Sequence, residues 1–306
     1  MTDSNGKNKS TNVRISNWRD RALRSGLATL DRISPRLAGR VAERLFLSPR
    51  GHARPEWESQ LVGSARRGAV RYRALSLPTY TWGEGAERVL LLHGWEGRGT
   101  QLGAFVPKLL AAGYQVVAVD LPGHGDATPA LTSVVDFGHA IGALVRELGP
   151  FAGVVGHSMG GAAATLAHTF GAFDARLVLI GAPRSPRSFL DGFAHYFGLS
   201  REAKRELEAR IAWRFGLSVD AVDVGLLGGQ VPLSTLVVHD RQDKIVPFEH
   251  GLALAAALPH ARLLETEQLG HRRILRDERV IDAAVAFIEQ RADSASQTAP
   301  QASAAA

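Results

Sequence analysis

Residues Gly153-Val154-Val155-Gly156-His157-Ser158-Met159-Gly160-Gly161 join a short apolar run to a stretch of small helix-forming residues, and their reading decides the fold. Gly153 to Val155 is a compact buried-strand pattern, and from Gly160 to Phe170 four alanines carry a helix. A serine between the two, with glycine two places before and two places after it, fits a tight strand-to-helix turn. Small flanking residues let the chain reverse sharply and leave the serine in strained backbone geometry with its hydroxyl exposed. The helix start beneath it offers unpaired N–H groups to a developing negative charge. Ser158 is therefore the candidate nucleophile.

Outward from this turn the same alternation repeats. The runs 89–92, 115–119, 177–180 and 235–238 are continuously apolar, as strands covered on both faces should be. Helical stretches at 101–112, 133–148, 160–170 and 250–258 separate them. Two opening strands at 69–75 and 78–82, a last strand at 261–265 and a closing helix at 278–291 complete the series. The pattern predicts an α/β fold, with a mostly parallel sheet and helices on both faces. One stretch, 183–231, has no strand-like run but shows helical periodicity at 190–197 and 201–215; it is expected to be a small helical lid.

A serine hydroxyl needs a base, and the base needs a third group to orient it. After the run 235–238 comes His239-Asp240-Arg241-Gln242-Asp243-Lys244-Ile245-Val246-Pro247, and after 261–265 comes Leu269-Gly270-His271. Two aspartates compete for the orienting role. Asp243 is favoured because it lies in the loop beyond the strand, whereas Asp240 adjoins the strand and suits the shaping of the turn. His271 stands out from the ten other histidines because it follows a strand after the acid, with Gly270 allowing close approach. His139, His168, His195, His250 and His260 lie in or beside helical stretches and read as ordinary surface or packed residues.

His93-Gly94-Trp95 follows the run 89–92. A tetrahedral intermediate requires two N–H donors aimed at its oxyanion, one just after the nucleophile and one from the loop after an earlier strand. The backbone N–H groups of Met159 and Trp95 are the candidates, and His93 is expected to fix the loop rather than move protons. Asp120-Leu121-Pro122-Gly123-His124-Gly125 reads as a turn beside the site, with Asp120 and His124 structural.

These segments together resemble the α/β-hydrolase superfamily over about 69–291. The resemblance rests on His93-Gly94-Trp95, Asp120 to Gly125, Gly156 to Gly161, Asp243 to Pro247 and Gly270-His271, five motifs in the family's order. It implies an eight-stranded sheet and assigns Ser158, Asp243 and His271 the nucleophile, acid and base roles of a catalytic triad. The stretch 93–102 is also similar to a bacterial subset known only as α/β-fold hydrolases, so no substrate is implied. A serine at the turn argues against haloalkane dehalogenase and epoxide hydrolase chemistry, which use a carboxylate there.

Composition bounds the rest. The chain is 306 residues long, 45% hydrophobic and free of cysteine, so it can bury a substantial core while disulfides and thiolate chemistry are excluded. No secretory signal and no membrane-spanning run of about 18 apolar residues is visible, so the chain reads as soluble and cytoplasmic. The net charge of +6 is uneven: residues 1–73 hold 16 Lys/Arg against 6 Asp/Glu, the remainder 20 against 24. The excess belongs to residues 1–68, expected as a disordered start followed by a basic amphipathic helix pair split at Ser34-Pro35. That arm lies outside the family pattern. Residues 292–306 read as a disordered tail.

The expected activity is cleavage of a small-molecule carboxylic ester or thioester through an acyl-enzyme, carboxylesterase-like, without cofactor, metal or nucleic acid. Phe189, Phe193, Tyr196 and Phe197 are expected to present an apolar lid to substrate. The alternatives are a lysophospholipase-like lipid esterase whose basic arm touches membrane, and a non-catalytic binding protein on a hydrolase fold. Acyl length, leaving group and oligomeric state are left open.

Overall fold

The structure of the protein, a computed structural model, describes residues 18–296. The expected disordered start, residues 1–12, lies outside the described residues, as does 297–306 of the expected tail. Eight strands occur in order: β1 (Arg66–Tyr72), β2 (Leu75–Trp82), β3 (Arg88–Leu92), β4 (Gln115–Val119), β5 (Gly153–His157), β6 (Arg176–Ile180), β7 (Thr235–Asp240) and β8 (Ala261–Thr266). The helices are α1 (Trp18–Ile33), α2 (Pro35–Leu47), α3 (Glu56–Gly63), α4 (Val106–Ala111), α5 (Val134–Leu148), α6 (Met159–Thr169), α7 (Arg187–Phe197), α8 (Arg201–Phe215), α9 (Val224–Leu227), α10 (Glu249–Ala257), α11 (Gly270–Arg273) and α12 (Glu278–Ser296).

The strands form one sheet in the order β1-β2-β4-β3-β5-β6-β7-β8. β2 runs antiparallel to both β1 and β4, and every other pairing is parallel. The continuous apolar runs are explained by two buried faces. Val89, Leu91, Val116, Val155, Val178 and Val238 share a core with Phe105, Leu109 of α4 and Ile281 and Ile288 of α12. Their alternate neighbours Leu90, Leu92, Val117, Val154, Leu177 and Val237 are buried as well, and strand alternation puts these on the opposite face. Each such side chain contributes roughly 1.5–3 kcal/mol through burial. Parallel strands connected this way carry their loops to one edge, so the ends of β3, β5, β7 and β8 can supply a common site.

Several boundaries differ from expectation for local reasons. β1 starts at Arg66, earlier than the expected residue 69, because its first residues are solvent-exposed and carry no apolar signal. The expected helix 101–112 is two pieces, a 3₁₀ segment Gly99–Phe105 followed by α4, with Pro107 in the first turn of the new helix; proline there removes an N–H that a continuous helix would use. α3 was not anticipated, its eight residues being too short to show a period. α12 continues to Ser296, into the stretch expected as a tail. Among the described residues no helix is long and apolar enough to cross a membrane.

The chain divides into two compact units. One holds the sheet, with residues 48–185 and 222–296. The other is helical, with residues 18–47 and Pro186–Ala221. It therefore joins α1 and α2 of the N-terminal stretch to α7 and α8 of the insertion, while α3 falls in the sheet unit. Within the helical unit α2 packs on α8. Gly39 makes that approach possible: a Cβ there would lie 2.5 Å from Cγ of Glu206. The Asp31 carboxylate accepts from the Ser200 N–H at 2.5 Å and hydroxyl at 2.7 Å, at the start of α8. Glu43, 1% exposed, accepts from Arg210 at 2.5 Å and Arg214 at 2.7 Å.

Candidate active site

Ser158 stands between β5 and α6 with φ 52° and ψ −125°, a backbone conformation that L-residues rarely adopt. The turn survives because its neighbours leave no room for side chains. A Cβ at Gly156 would meet Gly161 Cα at 2.6 Å, and one at Gly160 would meet the His93 carbonyl at 2.4 Å. Strain held this firmly by packing is a mark of functional sites.

The loop after β3 lies directly against the nucleophile. A Cβ at Gly94 would come within 2.8 Å of Ser158 Cβ and 3.3 Å of its Oγ. His93 fixes this loop. Its Nδ1 donates to the Gly94 carbonyl at 2.7 Å, and its Nε2 accepts from the Leu121 N–H at 3.0 Å. The ring is neutral, with burial pushing its pKa down to about 4. Trp95 follows Gly94 in this loop, and Met159 follows Ser158 as the first residue of α6.

His271, at the start of α11 after β8, places Nδ1 at 2.6 Å from Asp243 Oδ2. Asp243 is 8% exposed, and its other oxygen accepts from the N–H groups of Ile245 at 2.8 Å and Val246 at 2.9 Å. Burial alone would raise its pKa. The hydrogen bond and charge of His271, with the two backbone donors, outweigh that and hold the carboxyl below its ordinary value. Because an ionised carboxylate can only accept, the hydrogen bond between them is donated by Nδ1–H of His271. Among the described residues no direct hydrogen bond joins that ring to the Ser158 hydroxyl; such contacts commonly tighten only when substrate is bound.

Asp240 has a different task. It is fully buried and accepts from Gln242 N–H at 3.0 Å, Leu269 N–H at 3.0 Å and Thr266 Oγ1 at 2.9 Å. It braces the acid-bearing loop against the loop that ends in His271.

Two residues in the site carried no expectation. His157 Nε2 donates to the carbonyl of His271 at 2.9 Å, and the two rings lie 4.6 Å apart. Burial, and then the neighbouring His271, push the His157 pKa down to about 3, so the His157 ring stays neutral. Gly181, with φ +56°, makes room for the pair: a Cβ there would lie 3.2 Å from His271 Nδ1 and 3.5 Å from Asp243 Oδ2. A glycine directly after β6 was the only sequence signal for it. The His157 contact had none, since its partner is a backbone atom 114 residues away.

His124 and Asp120 make structural contacts in the loop after β4. His124 donates through Nδ1 to the Pro122 carbonyl and packs edge-on against Trp95, with ring centroids 5.1 Å apart. Asp120 accepts from the N–H groups of Gly99 and Asp126. Phe189, Phe193, Tyr196 and Phe197 belong to the helical unit. There Phe193 packs on Phe46 at 5.1 Å and on Phe197 at 4.7 Å, and Tyr196 on Phe197 at 5.0 Å. Among the described residues no three metal-ligating side chains converge.

A strained serine after a central strand, with a histidine–aspartate pair on the following loops, defines a class of protein. Residues 89–283 match the sequence pattern of the Alpha/beta hydrolase family, and the chain belongs to that family. A stretch of 173 residues is 36% identical to the dihydrolipoyllysine-residue acetyltransferase component of an acetoin cleaving system from Cupriavidus necator, covering 53% of this chain and 42% of that protein. This chain thus spans less than half of that relative. The 2-hydroxy-6-oxononadienedioate/2-hydroxy-6-oxononatrienedioate hydrolase of Cupriavidus pinatubonensis is 29% identical over 236 residues, 62% of this chain and 82% of that protein. An esterase from Rhodococcus sp. ECU1013 shares the fold, with TM-score 0.55 and 21% identity over 74% of this chain and 98% of its own.

Proposed function

We propose that this hydrolase cleaves carboxylic esters or thioesters through an acyl-enzyme on Ser158. His271 Nε2 takes the proton of the Ser158 hydroxyl as Oγ attacks the substrate carbonyl carbon. The carbonyl oxygen becomes an oxyanion held by the N–H groups of Trp95 and Met159. The imidazolium then returns its proton to the departing alcohol or thiol, and the acyl group remains on Oγ. Water, deprotonated by His271, attacks the acyl carbon; the bond from that carbon to Oγ breaks, His271 returns the proton to Oγ, and the acid is released.

The observation that carries this reading is the 2.6 Å contact between His271 Nδ1 and Asp243 Oδ2, in loops that converge on the strained turn at Ser158. It fixes the tautomer a general base needs. The lack of cysteine is consistent with work in the cytoplasm.

Labelling with a fluorophosphonate tests the mechanism: the wild type should be modified at Ser158, and Ser158→Ala should not. A panel of p-nitrophenyl esters, acyl-CoA thioesters and a 2-hydroxy-6-oxo dienoate, the last included because of the named relative, tests the substrate class. Equal rates for wild type and Ser158→Ala on every member would overturn the assignment.

A further inference from the structure

The N-terminal helices present two different apolar surfaces. The buried one is accounted for, since Leu27, Ala38, Ala42 and Leu47 lie inside the helical unit. The second faces water. Leu37 and Val41, one turn apart on α2, are 48% and 38% exposed, and Ile33 at the end of α1 is 76% exposed. Arg36, Arg40 and Arg44 repeat at the same four-residue spacing on α2 and are also exposed, so a cationic row runs beside the apolar one.

α8 completes this surface. A groove of about 530 Å³ is lined by Arg40, Val41, Glu43 and Arg44 of α2 and by Arg210, Trp213 and Arg214 of α8. Trp213 is 81% exposed. Glu43 satisfies Arg210 and Arg214. Among the described residues Arg36, Arg40 and Arg44 have no carboxylate partner. The groove therefore holds uncommitted guanidinium groups next to an exposed indole and exposed aliphatic side chains.

We propose that this face of α2 and α8 is a docking site for an anionic lipid surface. Guanidinium groups pair with lipid phosphates, and exposed aliphatic side chains and an indole suit the headgroup–acyl boundary. The same arginines would attract nucleic acid, but a phosphate backbone would leave Ile33, Leu37 and Val41 in water, whereas a bilayer covers them. The inference is independent of the esterase assignment, because it concerns binding and none of these side chains belongs to the site at Ser158.

Co-sedimentation of the full chain with phosphatidylcholine vesicles, with and without about one third phosphatidylserine, tests it. Binding should require the anionic lipid and weaken as salt is raised. Arg40→Gln with Arg44→Gln should lower the partition about 25-fold, at roughly fivefold for each lost charge. Trp213→Ala should lower it independently, and hydrolysis of a soluble ester should be unchanged in these variants. Ser158→Ala should bind vesicles like the wild type, which separates this result from the fate of the catalytic reading. The salt response of the unaltered protein provides a measurement that no folding defect can mimic. No binding by the wild type, equal partition onto neutral vesicles, unchanged partition of the arginine variant, or stronger retention on single-stranded RNA than on anionic vesicles would each overturn the proposal.

Discussion

Asp243 at the edge of the sheet and Glu43 in the helical unit are both sequestered carboxylates, 8% and 1% exposed, yet they are partnered in opposite ways. Asp243 gives one oxygen to two backbone N–H groups and the other to a single imidazole. Glu43 gives each of its oxygens to a guanidinium. The first arrangement orients an imidazole ring; the second holds two permanent cations in place. Burial of charge is common to both regions, and the partner's chemistry separates a site from a brace.

The comparison is most directly broken at Asp243. Asp243→Asn keeps the size of the side chain but lets the wrong tautomer of His271 form, and kcat should fall by about 10⁴-fold with little loss of stability. Glu43→Gln should do the reverse. It removes the charge that pairs two partly exposed guanidinium groups and should lower unfolding free energy by about 2 kcal/mol, read by urea denaturation, while ester turnover per folded molecule is retained.

His157→Phe sharpens the contrast, because it keeps a ring beside His271 and removes only the donor to its carbonyl. If that bond positions the base, kcat should drop by about 10²-fold with KM little changed; an unchanged kcat would make His157 a packing residue. The last expectation concerns pH. His93, His124 and His157 are neutral in the folded chain, with pKa values pushed down to about 4, 3 and 3, and each ionises near 6.5 when unfolded. The unfolded state therefore binds more protons below 6.5, and stability should be full above that value and decline as pH falls toward 4. Melting temperatures across that range check the sign, and His157→Phe should flatten part of the slope.

Much of this was legible along the chain. The apolar runs at 89–92, 115–119, 177–180 and 235–238 each became a strand, because two covered faces demand continuous hydrophobicity. The small residues around Ser158 announced the turn, because only they permit it. Ser34-Pro35 marked the break between α1 and α2, since Pro35 can begin a helix but not continue one. The exposed start of β1 and the short α3 stayed hidden because periodicity reports burial, and neither has enough of it.

Residue types and their order were thus settled by local chemistry: a serine on a tight turn, then two aspartates, then a histidine after a glycine. Which aspartate meets His271, that His157 grips the same residue from below, and that α1 and α2 find their partners in α7 and α8 were settled only in three dimensions. Those contacts join atoms from 28 to 171 positions apart in the chain. At such separations no spacing rule applies, and the order of strands and the packing of helices decide which side chains meet.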